Sequence, residues 1–414
     1  MQTRPATTQQ ASWTTILILV GAGLVSAIQV GKATVALATV QGDLHLDLSV
    51  ASWLLSAFAI VGALTGGPIG LAVDRIGAKR LLVSGLLVQG LSSAAGALAG
   101  GAGLLLTMRT LEGFGFLCAV VAAPAIIIRI ASGEQRQRAL AAWATFMPLG
   151  ITASLLAAPL LSAAGWRSFW LINAALLAGY AALAAFTVPA IGAAGPVRSI
   201  MRDTRDTLAT AGPWLLASMF AIFNAAYFAV FGFLPIVLTD RLGVSSDLAS
   251  VLTALAVMAS AGGNLACGVL LTRGARPWLV LLTSFAALGV LALGIFLGAL
   301  PGPASYGLSV AFAFIAGLIP VTIMNSVPRH APRPELVGAT MGFIMQGNNV
   351  GMTIGPAATG AIAQALGWGA VSILVAGLSL GAIVLALAFR LRESDTQAPR
   401  VTRGLELVKA GKEG

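Results

Sequence analysis

Lys32, Arg109 and Glu112 each lie inside long runs of hydrophobic residues. Placing an ionised side chain within a bilayer costs a few kcal/mol or more, so such residues are functional candidates by default. Arg109 and Glu112 are three apart and share a helix face, where they can pair. That pair is either a structural brace or part of a coupling site. Lys32 lies about 18 residues into its run, roughly 27 Å along a helix axis. It either faces an interior cavity or extends to the far headgroups. Two cations against one carboxylate bias a cavity toward anions, and Glu112 is then a candidate proton carrier.

Uncharged polar residues extend the set: Gln29, Asn224, Tyr227, Asn264, Gln346, Asn348 and Asn349. Buried amides and hydroxyls need partners, supplied by a neighbouring helix, by water or by a solute. Each is either a ligand or interhelical glue. Nothing in the chain reads as an enzyme. The only histidines, His45 and His330, fall in loops on opposite sides, and Cys118 and Cys267 lack metal-ligand spacing. No phosphate-cradling glycine loop is present, so no cofactor, no metal and no ATP hydrolysis by this chain are expected.

These residues need a membrane to hold them. Of 414 residues, 58% are hydrophobic and 9% charged, with 49 glycines. Soluble domains carry about a quarter charged residues. Spanning helices need about 20 apolar residues. That test predicts twelve spans near 14–38, 51–73, 81–99, 102–130, 138–163, 168–189, 212–239, 248–271, 277–299, 304–327, 337–364 and 368–389. About 20 of the 24 Lys and Arg fall on one side of this arrangement, and only Arg167 and Arg241 on the other. The positive-inside rule therefore puts both termini in the cytoplasm of a bacterial inner membrane, with the first span retained. The net charge of +10 is distributed as topology signals rather than as a nucleic-acid footprint.

The chain repeats itself. Gly150, Pro159 and Gly165-Trp166 find counterparts in Gly347, Pro356 and Gly367-Trp368, and Gly70 and Arg75 in Gly268 and Arg273. The repeat sets Tyr227 opposite Gln29. It divides the chain into a half at 1–189, a cytoplasmic linker at 190–211 and a half at 212–414, with a site expected between the halves at mid-depth. Gly62, Gly66 and Gly70 in one span and Gly347, Gly351 and Gly355 in another recur every four residues. Such ridges permit close backbone contact.

The loop after the second span reads Gly70-Leu-Ala-Val-Asp74-Arg75-Ile-Gly77-Ala-Lys79-Arg80, and the fourth span carries Arg109-Thr-Leu-Glu112-Gly113-Phe-Gly115. Both resemble signatures of the major facilitator superfamily, and with the span count and the repeat the likeness covers nearly the whole chain. The resemblance implies an all-α fold of two six-helix bundles and a conformational latch at Gly70, Asp74, Arg75, Gly77, Lys79 and Arg80. It also implies that the second and eleventh spans face each other across a moving interface, where the two glycine ridges would slide. It links the arginine matching Arg109 to proton or substrate coupling. A looser likeness extends to the cyanate-permease-like and nitrate/nitrite-type branches. Multidrug antiporters of the family place an aspartate where Gln29 stands, and their fifth-span glycine pair is replaced by Leu160-Leu161. The expectation is a monomeric secondary transporter of a small anionic solute, proton-coupled and working by alternating access. Proton-driven efflux of drugs or amphiphiles, and a transporter-like sensor, are the alternatives.

Overall fold

The computed structural model describes residues 12–132, 145–190, 205–298, 300–333 and 336–410, with isolated positions between 135 and 143. Side chains at 66–76, 337–339 and 392–410 lie outside this description, as do most of the 190–211 linker and the tail cations.

Thirteen helices order the described residues. They are α1 (Trp13–Asp43), α2 (Leu48–Ile76), α3 (Ala78–Ala97), α4 (Ala102–Ile130), α5 (Phe146–Leu156), α6 (Ala158–Thr187), α7 (Ala211–Phe231), α8 (Leu234–Leu242), α9 (Ser246–Thr272), α10 (Pro277–Phe296), α11 (Gly302–His330), α12 (Val337–Leu366) and α13 (Trp368–Ala410). They build an all-helical, polytopic membrane fold. The fifth expected span is α5 with the first turns of α6, since Gly165 breaks α6 with a φ of 78°. Gly367, its repeat partner, separates α12 from α13 with the same φ. This left-handed conformation suits glycine alone among common residues. Together α7 and α8 make the seventh span.

By length and composition, nine helices among the described residues can cross a membrane. Of the twelve expected spans, those missing are α3, the α5 segment and α12. The polar side chains of α3 and α12 explain the shortfall. Gln89, Ser92 and Ser93 of α3 are buried, and the amides of α12 bond within the protein rather than facing lipid.

The bundle ends differ in charge, as the cation count anticipates. At the cation-poor end Arg167 donates to Asp43 at 2.6 Å and to the Ala99 carbonyl at 3.2 Å. Arg241 donates to the carbonyls of Ile295 at 2.6 Å and Phe296. Both cations thus satisfy terminal carbonyls where the chain leaves the third helix of each bundle, the end where positive charge is favourable.

Helix α2 packs along α12, and α5 along α9. These are the main contacts between α1–α6 and α7–α13, with smaller ones from α6 to α9 and from α1 to α8. The glycine ridge of α12 corrects the sliding-surface expectation. Gly347, Gly351 and Gly355 lie on Ala217, Ala221 and Ala225 of α7, within their own bundle. Another face of α12 meets α2: Gln346 donates to the Ala63 carbonyl at 2.9 Å, and Asn349 lies over Gly62. Gly66 and Gly70 fall among the side chains not described. A four-residue spacing marks a face that tolerates close approach, without naming its neighbour.

A Cβ at position 351 meets the Ala221 carbonyl oxygen, whereas one at Gly377 meets nothing within 4 Å. Gly351→Ala should therefore destabilise the protein by about 1–3 kcal/mol through overpacking, and Gly377→Ala should be neutral or slightly stabilising. Thermal unfolding of the purified variants in detergent checks the difference.

Candidate functional site

Helix α1 brings Lys32 against α3, α4 and α6. Its Nζ lies 2.6 Å from Glu112 Oε1, donates to Ser93 Oγ at 2.7 Å and sits 4.5 Å from the Trp170 ring centroid. Lys32 and Glu112 have no exposed surface and Arg109 has 1%. Lys32 therefore does not extend to the headgroups. The other Glu112 oxygen accepts from Arg109 Nη1. Arg109 also donates to the backbone carbonyls of Leu54, from Nε, and Gln29, from Nη1, each at 2.9 Å, and its guanidinium stacks 4.7 Å from the Phe58 ring.

The result is a buried cation–carboxylate–cation triad with one surplus positive charge. Taking three charges out of water is tolerable only if each finds partners, and Glu112 supplies both cations with theirs. Around it runs a further polar chain. Gln29 donates to Asn173 Oδ1 at 3.2 Å, Gln89 to Ser26 Oγ at 3.1 Å, and Ser93 Oγ to the Trp170 carbonyl at 2.9 Å. Gln29 Oε1, Gln89 Oε1 and Trp170 Nε1 are buried with no partner. Sequence reasoning missed Ser26, Gln89, Ser93, Trp170 and Asn173. The spacing of Gln89, Ser92 and Ser93 on one apolar helix was the available signal.

Between the bundles is a cleft lined by Val30, Gly31, Thr34, Ile151, Leu155, Tyr227, Phe228, Phe231 and Val257. Its volume, about 10 Å³, is room for roughly one water. The expectation that Lys32 and Arg109 face a central cavity is not met in this state. The cleft walls are apolar and aromatic, and the triad lies behind α1. Lys32 is nevertheless flanked along α1 by Gly31 and Thr34, which are wall residues.

Tyr227 lines the cleft, with its hydroxyl against Ser260, whereas Gln29, its partner in the repeat, does not. Asn224 donates to Asn348 Oδ1 at 2.7 Å, joining α7 to α12. Gln346 and Asn349 are taken up by the contact with α2, and Asn264 Oδ1 is buried without a partner. Of the loop signature, Gly77 turns the chain into α3 with a φ of 93°, with Lys79 and Arg80 in the first turn. The side chains of Asp74 and Arg75 lie outside those described.

The described residues form a helical, polytopic membrane fold with a charged interior and a narrow cleft between its two bundles. Residues 19–345 match the Major Facilitator Superfamily, and the chain belongs to that family of secondary transporters. It is 29% identical over 357 residues to human monocarboxylate transporter 11, covering 80% of this chain and 73% of that one. It is 28% identical over 178 residues to the lincomycin resistance protein of Streptomyces lincolnensis, covering 42% of this chain and 36% of that one. The chain thus matches about a third of the length of several bacterial relatives. A crystal structure of the nucleoside transporter NupG shares the fold, with a TM-score of 0.74, 16% identity and coverage of 91% and 99%.

The triad makes an ordered prediction. Glu112→Gln leaves two buried cations without a counter-charge and should cost about 3–5 kcal/mol, the usual penalty for breaking a buried pair. Lys32→Met leaves the neutral Arg109–Glu112 pair and should cost less. Thermal unfolding of the two variants, purified in parallel, should show that order; the reverse order would contradict the charge balance described here.

Proposed function

We propose that this transporter carries a small organic monoanion together with a proton, by alternating access between the halves at 1–189 and 212–414. The observation that carries this reading is the triad: two cations share one carboxylate immediately behind the α1 residues of the cleft wall. With Glu112 ionised, the group holds a net charge of one. An anion arriving at Lys32 competes with Glu112 for it, which leaves Glu112 to Arg109 alone and brings the net charge of the group to zero. A proton taken up by Glu112 with the anion returns the net charge to one. Each anion thus enters with one proton, and the coupled step moves no net charge into the site.

The flexible four-carbon stem of lysine permits the required turn of Nζ toward Gly31 and Thr34. The aromatic wall of Tyr227, Phe228 and Phe231 suits the apolar body of an organic acid, with the charge held on the opposite, Lys32 side. The monocarboxylate transporter matched over most of both lengths supports the same solute class. In this reading the chain works as a monomer in a bacterial cell membrane, with its cation-rich end and both termini in the cytoplasm.

The apolar cleft and the resistance-protein match favour a second reading, efflux of lipophilic drugs. Uptake of labelled lactate, pyruvate and benzoate into proteoliposomes separates the two. The expected result is accumulation driven by an inward proton gradient, rising as external pH falls, unchanged when the membrane potential is clamped, and lost in Lys32→Met. Proton-driven movement of a lipophilic cation, unaffected by Lys32→Met, would overturn the anion assignment in favour of efflux. Saturable binding of these acids with no flux would identify a sensor.

A further inference from the structure

A cleft with room for one water transports nothing until one end opens, so what holds its ends shut matters as much as what lines it. At the cation-poor end, two polar contacts cross between the bundles. The backbone N–H of Ser49, in the first turn of α2, donates to Gln364 Oε1 near the end of α12 at 2.7 Å. Ser162 Oγ, in the closing turn of the fifth span, donates to Asp247 Oδ1 in the first turn of α9 at 2.5 Å. Both pairs join the start of a helix in one half to the end of a helix in the other.

Their positions are related by the internal repeat. Residues 49 and 247 are 198 apart, the offset that relates Gly70 to Gly268 and Gln29 to Tyr227. Residues 162 and 364 are 202 apart, the offset of Gly165 and Gly367. The contacts are therefore equivalent under the pseudo-twofold axis, with different residues in equivalent places. Gly360 lets the first pair close, since a Cβ there runs into the Ser52 side chain and comes within 3.0 Å of the Leu48 carbonyl oxygen.

We propose that Ser49–Gln364 and Ser162–Asp247 are paired latches that hold the cation-poor end of the cleft shut, and that both release when this end opens. The chemistry fits reversible closure. The Ser49 amide belongs to the first turn of α2, where N–H groups have no intrahelical acceptor, so it exchanges Gln364 for water on opening. Asp247, already favoured at a helix start, likewise exchanges the Ser162 hydroxyl for water. Neither partner is left buried and unsatisfied, so the open state carries no orphaned-group penalty. The latches set how often this end opens, whichever solute is carried.

Thr34→Cys, in a Cys118→Ala, Cys267→Ala background, places a reporter thiol on the cleft wall. Its labelling by a membrane-impermeant maleimide is followed in right-side-out and inside-out vesicles. Gln364→Ala and Ser162→Ala should each speed labelling from the cation-poor face about threefold, as expected for losing one modest hydrogen bond. The double variant should speed it about tenfold, with slower labelling from the opposite face. Arg167→Gln, at the same end but bonded within its own half, should leave both rates unchanged. Equal labelling of parent and double variant from both faces, with unaltered gel-filtration profiles, would overturn the proposal. So would acceleration by Arg167→Gln equal to that of the double variant, which would indicate general loosening of this end.

Discussion

Glu112 is the constraint on which the first bundle depends. Among the described residues it is the one counter-charge that Lys32 and Arg109 share, and all three side chains are buried. In a medium where an isolated charge costs many kcal/mol, geometry must bring the helices to it. Lys32 draws α1 against α3 and α6 through Ser93 and Trp170. Arg109 binds α4 to the backbones of α1 and α2. The bundle is assembled around one carboxylate, and the coupling chemistry proposed for that carboxylate acts on the bundle's own fastening. In that proposal a proton arriving at Glu112 would act on two helix contacts together. The same carboxylate touches α1 through Lys32, and α1 forms part of the cleft wall.

The second bundle repeats the architecture with different glue. It carries no triad. Its α7 and α12 meet glycine against alanine, backbone to backbone, with one amide pair, Asn224–Asn348, between them. Lacking a strong directional interaction, such helices are held by close packing and weak hydrogen bonds. The duplicated halves are thus alike in path and unlike in energetics: one is tied by charge, the other by contact area. Across the interface the directional ties among the described residues are single hydrogen bonds at Ala63, Ser49 and Ser162, each contributing about 0.5–1.5 kcal/mol net. Helices α2 and α12 also pack closely along their length, so the halves meet through contact area stitched by a few exchangeable hydrogen bonds.

Much of this architecture was readable from the chain because it depends on periodicity and counting. The lipid-facing spans, the charge asymmetry and the Gly165/Gly367 breaks follow from apolar length, from the placement of arginine and from repeated turn residues. Arg109–Glu112 was legible because i, i+3 partners share one helix. Lys32–Glu112 spans 80 positions, and no local pattern carries that distance. The glycine ridge of α12 was read correctly as a close-packing face and assigned to the wrong neighbour, since spacing describes a surface and not what lies on it. Ser93 and Trp170 went unnoticed for a related reason. Serine and tryptophan are ordinary in membrane helices, and only the lysine between them gives them a role.

Gln29 shows how little sequence separates two transport chemistries on this scaffold. It lies three residues before Lys32, hence on the same face of α1, with its side-chain amide donating to Asn173 and its backbone carbonyl accepting from Arg109. A carboxylate here would give two anions for two cations. The interior would then be neutral, without the surplus that attracts a monoanion, and a second protonatable group would stand ready for a cationic solute. With glutamine the position keeps its hydrogen-bonding capacity and the surplus stays positive. One amide in place of one acid thus preserves the packing of α1 while setting the sign of the charge held behind the cleft, which is why the anion reading is favoured over efflux.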